Sequence, residues 1–194
     1  ELTVVDREKR EGPKESYLAY GTGQGRLHDV PPLAAFGDGY RFHVTGLTHG
    51  EDGFPTNNPK VGEKQIRRIA DKIRNRREQL SKFEEVYMDD AEVVVMAYGG
   101  AARSAKKAVK DARAEGIKAG LLRFITLWPF PEERVSKLRD MGLKAVIVPE
   151  MNLGQYVLPI KRVLGDACPV TPLNKIAGQF IEPNAILDAI KGAM

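Results

Sequence analysis

The residue types best suited to chemistry gather after three apolar runs of this sequence. Gly99, Gly100, Arg103 and Ser104 follow Val93 to Ala97, Arg123 and Phe124 follow Ile117 to Leu122, and Glu150, Met151 and Asn152 follow Ala145 to Val148. Two guanidinium groups, a carboxylate and a carboxamide would thus share one edge of a sheet, and what they offer together is anion binding. An arginine grips a phosphate or carboxylate through charge-assisted bonds worth roughly 1.5 to 3 kcal/mol each when shielded. A helix amino end adds roughly half a positive charge, and paired glycines let a ligand approach the backbone. The same residues also fit two simpler roles: an ordinary strand-turn-helix corner, and an Arg123 to Glu150 pair that ties neighbouring strands together. Neither a G-x-G-x-x-G fingerprint nor a G-x-x-x-x-G-K-[ST] loop is present. No histidine falls on this edge and Cys168 has no visible activating neighbour, so no catalytic residue is assigned. His28, His43 and His49 lack metal-ligand spacing, and no metal site is expected.

The elements that must position these residues are legible in the pattern. The run AEVVVMAYGGAARSAKKAVKDARAEG, Ala91 to Gly116, reads as a strand buried on both faces, a glycine turn, and a helix from about Ala102 or Arg103. Ala101, Ala105, Ala108, Val109 and Ala112 give that helix a stripe of small apolar residues for close contact with a sheet. Further strands are expected at Ile117–Arg123, Ala145–Val148 and about Cys168–Leu173. Further helices are expected from Pro131, over roughly Gln155–Leu164 with Pro159 either kinking it or delaying its start, and over Pro183–Lys191. Alternating strands and helices predict an α/β fold, a mainly parallel sheet with helices on both faces. Ligands of such sheets bind beyond the carboxyl ends of the strands.

Ahead of this domain, at 89–194, the pattern predicts a connecting amphipathic helix at 63–88 and an extended connector at 1–62. The helix, from Glu63 to about Val86, carries Ile66, Ile69, Ile73, Leu80 and Phe83 at helical spacing among mixed charges. It suits a solvated face, with contact to an anion or a partner as the alternative. Short strands are expected at Leu2–Val5 and around Phe42 and Val44. The turn-rich excursion from Tyr40 to Pro59 either lies along another domain or subunit or is a loose linker. Thr45, Thr48 and His49 are its candidate interface residues, with Glu150 on the same interface.

Composition bounds the rest. A chain of 194 residues with 42% hydrophobic content supports one domain or one and a half. The net charge of +4 favours anionic partners weakly, and the basic helix lacks interleaved aromatics, so no nucleic acid is expected. No apolar run approaches membrane-spanning length and no signal peptide is seen, so no membrane is expected. The single cysteine fits a cytoplasmic protein without an internal disulfide or an iron–sulfur cluster of its own. The first residue is Glu1 and not methionine, consistent with a piece of something longer.

Three separated segments, YRFHVTGLTHGEDGFP, GGAARSAKKAVKDARAEGIKAGLLRFITLWPFPEE and VIVPEMNLGQ, closely resemble the carboxyl-terminal half of the α subunit of 2-oxoacid:ferredoxin oxidoreductases, of the 2-oxoglutarate synthase type. The resemblance runs from about Val30 to the end. It implies a fold like the transketolase carboxyl-terminal domain, in an enzyme that oxidatively decarboxylates a 2-oxoacid with coenzyme A to an acyl-CoA. It also implies thiamine diphosphate with magnesium, an iron–sulfur cluster on a β subunit, and ferredoxin as electron acceptor. The family's amino-terminal half is missing, so the chain alone should neither bind thiamine nor turn over. Coenzyme A phosphates are expected near Gly99, Gly100, Ser104, Arg103 and Arg123, with Asn152 at the mouth. Where the family commonly has a hydroxyl residue after the first glycine of the turn, this sequence has Gly100-Ala101, so any hydroxyl contact must come from Ser104. The alternative is a non-catalytic subunit-assembly domain.

Overall fold

A computed structural model describes residues 3–6, 8–22, 30–44 and 46–194, which leaves Thr45 and His28 outside the described residues. The chain divides into two units, Glu1–Arg76 and Arg77–Met194. The division falls at Arg76, where a single helix over 63–88 was expected to continue.

In the first unit, helix α1 runs from Pro59 to Arg74. The Asn58 side chain accepts the Lys60 amide at 3.0 Å, and Pro59 occupies the first turn, where no intrahelical acceptor is needed. Ile66 and Ile69 of α1 are exposed. The segment before it is more than a connector. Tyr17, Ala19 and Ala34 are buried, with Tyr20, Tyr40 and Phe42 packed against them, and the Tyr17 hydroxyl accepts the Ala34 amide at 3.0 Å. No strand forms over the described residues 3–5 or 40–44. An isolated antiparallel bridge joins His49 to Pro55 further along.

The second unit opens with α2 (Arg77–Leu80) and β1 (Phe83–Val86), both read from sequence as helix. Leu80 and Phe83 happen to continue the helical spacing, but Glu84 and Val86 alternate with Phe83 and Glu85 as in a strand. Pairing with a neighbouring strand then decides the conformation. The rest follows in order: β2 (Val93–Tyr98), α3 (Ala101–Ala114), β3 (Ala119–Phe124), α4 (Glu132–Ser136) with a 3-10 turn (Lys137–Met141), β4 (Ala145–Glu150), α5 (Val157–Leu164), β5 (Val170–Asn174) and α6 (Pro183–Gly192). Helix α5 starts at Val157, later than Gln155, as the second expectation at Pro159 had it; the proline sits in the first turn, where its missing amide is not needed.

The sheet order is β1-β3-β2-β4-β5, parallel except for the antiparallel edge strand β1. The α/β class and the mainly parallel sheet are therefore as expected. Strand β2 is buried on both faces. Val94 and Met96 pack toward Val135, Leu138 and Ile160 of α4, its 3-10 extension and α5, while Val93, Val95 and Ala97 pack toward Ala105, Val109, Ala112 and Ile186 of α3 and α6. Gly120 lets the segment between β1 and β2 pack closely on β3. A β-carbon there would lie 2.8 Å from that of Ala91 and 2.9 Å from the Met88 sulfur.

Candidate functional site

Strand β2 ends in Tyr98, and the chain turns over Gly99, whose φ of +54° belongs to the left-handed region that glycine adopts freely. Gly100 precedes α3 without a side-chain cap, and a β-carbon at either glycine would meet nothing within 4 Å. Backbone therefore opens onto space at the amino end of a fourteen-residue helix. Arg103 stands exposed in the first turn and makes no ion pair among the described residues, with Ser104 half-buried beside it. These four residues form one group.

Asn152 reaches that group through Tyr98. Its amide nitrogen donates to the Tyr98 hydroxyl at 2.9 Å, and its carbonyl oxygen accepts the amides of Gly154 at 2.7 Å and Gln155 at 3.1 Å. The Tyr98 hydroxyl donates in turn to Glu150 at 3.0 Å. Glu150, the last residue of β4, is wholly buried. Besides the Tyr98 hydroxyl, it accepts the amides of Gln155 (3.2 Å), Tyr156 (2.8 Å) and Val157 (2.9 Å), which makes it the acceptor for the unpaired amides at the start of α5. Burial pushes its carboxyl up, but the Tyr156 and Val157 amides and the Tyr98 hydroxyl together hold it below the ordinary value. Burial, and then its hydrogen bond to Glu150, push Tyr98 up, so its hydroxyl remains a donor.

Arg123 lies on the face of the sheet that α3 covers, opposite to Tyr98. It is paired in register with Ala97, which packs toward α3, and donates to Glu84 at 2.9 Å. Glu84 also accepts Lys106 of α3 at 2.7 Å, and the Lys106 bond is the largest influence lowering its carboxyl. Arg123 and Glu150 do not pair, because β2 lies between β3 and β4 and their side chains are bound elsewhere. Gly99, Gly100, Arg103 and Ser104 thus lie together at the start of α3, Asn152 is bonded to Tyr98 just before them, and Arg123 is tied into a separate ion cluster.

The other candidates are accounted for locally. The Thr48 carbonyl accepts the Thr56 amide at 2.9 Å, and Thr48 lines an open groove with Asn58, Gly62 and Ile66. The His49 ring lies 4.1 Å from that of Tyr20, with its Nε2 2.7 Å from the Gln65 amide nitrogen. Tyr98 and Tyr156 were missed in the sequence. Tyr156 packs on Tyr98, Phe124 and Phe130, and its hydroxyl donates to the Leu127 carbonyl at 3.1 Å, so it laces the ends of β2, β3 and β4 together. The only sequence signal was a tyrosine where each run would otherwise stay aliphatic. Cys168 is buried, which pushes its thiol up and away from nucleophilic character. Among the described residues no cluster of three or more His, Cys, Asp or Glu could hold a metal, and no helix is long and apolar enough to cross a membrane. The arrangement offers open backbone, a guanidinium and a carboxamide, and among the described residues it holds no pairing of nucleophile and base.

Residues 91–186 match the family described as pyruvate:ferredoxin oxidoreductase core domain II. The 2-oxoglutarate synthase subunit KorA of Methanothermobacter marburgensis is 43% identical over 98% of this chain and 50% of its own length. KorA of Methanocaldococcus jannaschii is 40% identical over 84% of this chain and 43% of its own. The chain spans about half the length of the curated relatives it matches. Among solved structures, 2-oxoglutarate:ferredoxin oxidoreductase from Magnetococcus marinus superposes with a TM-score of 0.79 at 25% identity, covering 98% of this chain and 33% of that one. It was solved with 2-oxoglutarate, coenzyme A and succinyl-CoA bound. Matched along nearly its whole length in sequence and in fold, the chain belongs to the 2-oxoacid:ferredoxin oxidoreductase family.

Proposed function

We propose that this chain serves in the cytoplasm as the carboxyl-terminal half of the α subunit of a thiamine-dependent 2-oxoacid:ferredoxin oxidoreductase. The enzyme would act on 2-oxoglutarate and form an acyl-CoA, and this half would contribute coenzyme A binding and subunit assembly. The observation that carries the proposal is the open Gly99-Gly100 backbone beside the unpaired Arg103, in a chain whose solved neighbour holds coenzyme A. Ser104 and Asn152 complete the polar edge, and Tyr98 fixes the Asn152 amide. Arg123 is left to its ion cluster and contributes to phosphate binding only through long-range charge. The single, buried cysteine cannot by itself ligate an iron–sulfur cluster. In this reading thiamine diphosphate, magnesium and the cluster belong to a β subunit and to the rest of the α subunit, with ferredoxin taking the electrons.

Calorimetric titration with coenzyme A tests this directly. Binding should weaken with added salt, and Arg103→Ala should weaken it about tenfold, as loss of one charge-assisted contact does. Arg123→Ala should change it far less. Absence of heat at millimolar coenzyme A, or equal effects of the two substitutions, counts against the proposed site.

A further inference from the structure

The hydrogen bonds behind Asn152 have a fixed polarity. The ionised Glu150 carboxylate only accepts, so the Tyr98 hydroxyl must donate to it at 3.0 Å, beside the Gln155, Tyr156 and Val157 amides. With its hydrogen spent, that hydroxyl can only accept, and it takes the Asn152 amide nitrogen at 2.9 Å. The Asn152 carbonyl oxygen is spent on the Gly154 and Gln155 amides at 2.7 and 3.1 Å, and these backbone donors forbid the reverse placement of its oxygen and nitrogen. What remains is the second hydrogen of the Asn152 amide, on a half-buried residue, with no further acceptor within hydrogen-bond distance among the described residues. A buried carboxylate thereby turns the loop after β4 into a donor. A ligand group that meets Asn152 must offer an acceptor oxygen, and an ammonium group would face another donor.

Charge narrows the choice of oxygen. The Glu150 charge lies one hydroxyl away from Asn152, close enough for the amide to help hold that carboxyl low, and no cationic side chain pairs with it among the described residues. The amino end of α5 offsets it by roughly half a charge. A phosphate at Asn152 would be repelled, and a neutral carbonyl would not. Arg103, exposed and without an ion pair among the described residues, carries the opposite sign at the start of α3 and suits the phosphate. Coenzyme A offers both kinds of group: phosphates on its nucleotide and amide carbonyls along its pantetheine arm.

We propose that Asn152 selects a neutral carbonyl oxygen of the ligand, with Tyr98 and Glu150 as its positioning residues, so that the pantetheine arm of coenzyme A meets Asn152 while the phosphates go to Gly99, Gly100 and Arg103. The inference rests on the coenzyme A reading above and adds to it the direction in which the ligand lies. The assembled oxidoreductase is titrated calorimetrically with S-methylpantetheine, which keeps the amides and cannot be acylated, and with ADP, which keeps the diphosphate. Asn152→Ala should weaken S-methylpantetheine about tenfold, as loss of one hydrogen bond does, and leave ADP unchanged; Arg103→Ala should do the reverse. Alanine also removes the acceptor for the Gly154 and Gln155 amides, so Asn152→Asp, which keeps that oxygen, is the second variant. At neutral pH it should bind S-methylpantetheine no better than Asn152→Ala. On acidification the introduced carboxyl gains a proton and becomes a donor, and affinity should rise above that of Asn152→Ala, a recovery that a purely structural role would not give. Tyr98→Phe frees the amide from its anchor and should weaken S-methylpantetheine about threefold with ADP unmoved. The proposal is overturned if Asn152→Ala leaves S-methylpantetheine binding intact, if the loss falls on ADP instead, or if Asn152→Asp binds like the unaltered enzyme at neutral pH. Arg103→Ala without effect on ADP or on coenzyme A overturns the coenzyme A reading itself, which keeps the two failures apart.

Discussion

A carboxylate with no solvent exposure survives at Glu150 because four donors converge on it: the Tyr98 hydroxyl and the amides of Gln155, Tyr156 and Val157. Glu150→Gln keeps the shape but replaces an acceptor by a donor. It should destabilise the fold by about 2 kcal/mol in urea titration. Tyr98→Phe, which strands the Asn152 amide and removes one donor, should cost about 1 kcal/mol. The pH dependence has a definite sign. Because the folded carboxyl is held below its ordinary value near 4.5, the unfolded chain takes up its proton first as pH falls. The stabilisation is complete above the unfolded value and is lost as pH drops through the folded one. The acid limb of a stability profile should therefore be shallower in Glu150→Gln; an unchanged limb would show that the carboxylate contributes nothing there.

Strand β3 depends on glycine at one position for a steric reason. At Gly120 an added methyl would meet Ala91, Met88 and the Tyr87 carbonyl at 2.8 to 3.0 Å, so Gly120→Ala should lower stability by about 2 kcal/mol, read from thermal unfolding. Gly99 depends on glycine for a different reason, since space is open but φ is positive. Gly99→Ala should cost only about 1 kcal/mol, and the two glycines separate crowding from backbone strain. The edge strand β1 shows how an element escapes a local pattern. Its Glu84 is fixed by Lys106 and Arg123, groups far apart in sequence, and its backbone pairs with β3.

Each of the two units has buried clusters of its own. The second has large apolar clusters on both faces of its sheet, so residues 77–194 expressed alone should unfold cooperatively with native far-ultraviolet dichroism. A broad, non-cooperative transition would show that its core needs the preceding residues. Among its described residues the first unit buries a small aromatic cluster, and residues 1–76 alone should show little protection from hydrogen exchange.

The alternating runs, the glycine turn and the matched segments already determined the fold class, the family and which strand ends could hold a site. These follow from periodicity and local turn chemistry, which act between near neighbours along the chain. Tertiary structure decided what depends on partners distant in sequence. It made 83–86 a strand by pairing it with β3, turned Arg123 to the face of Ala97 while Asn152 bonds Tyr98, successive residues of β2 that point apart, and made Glu150 a buried helix cap served by Tyr98, 52 residues away. Sequence spacing could bring those side chains to one edge, but only the packed sheet determined which face each would take.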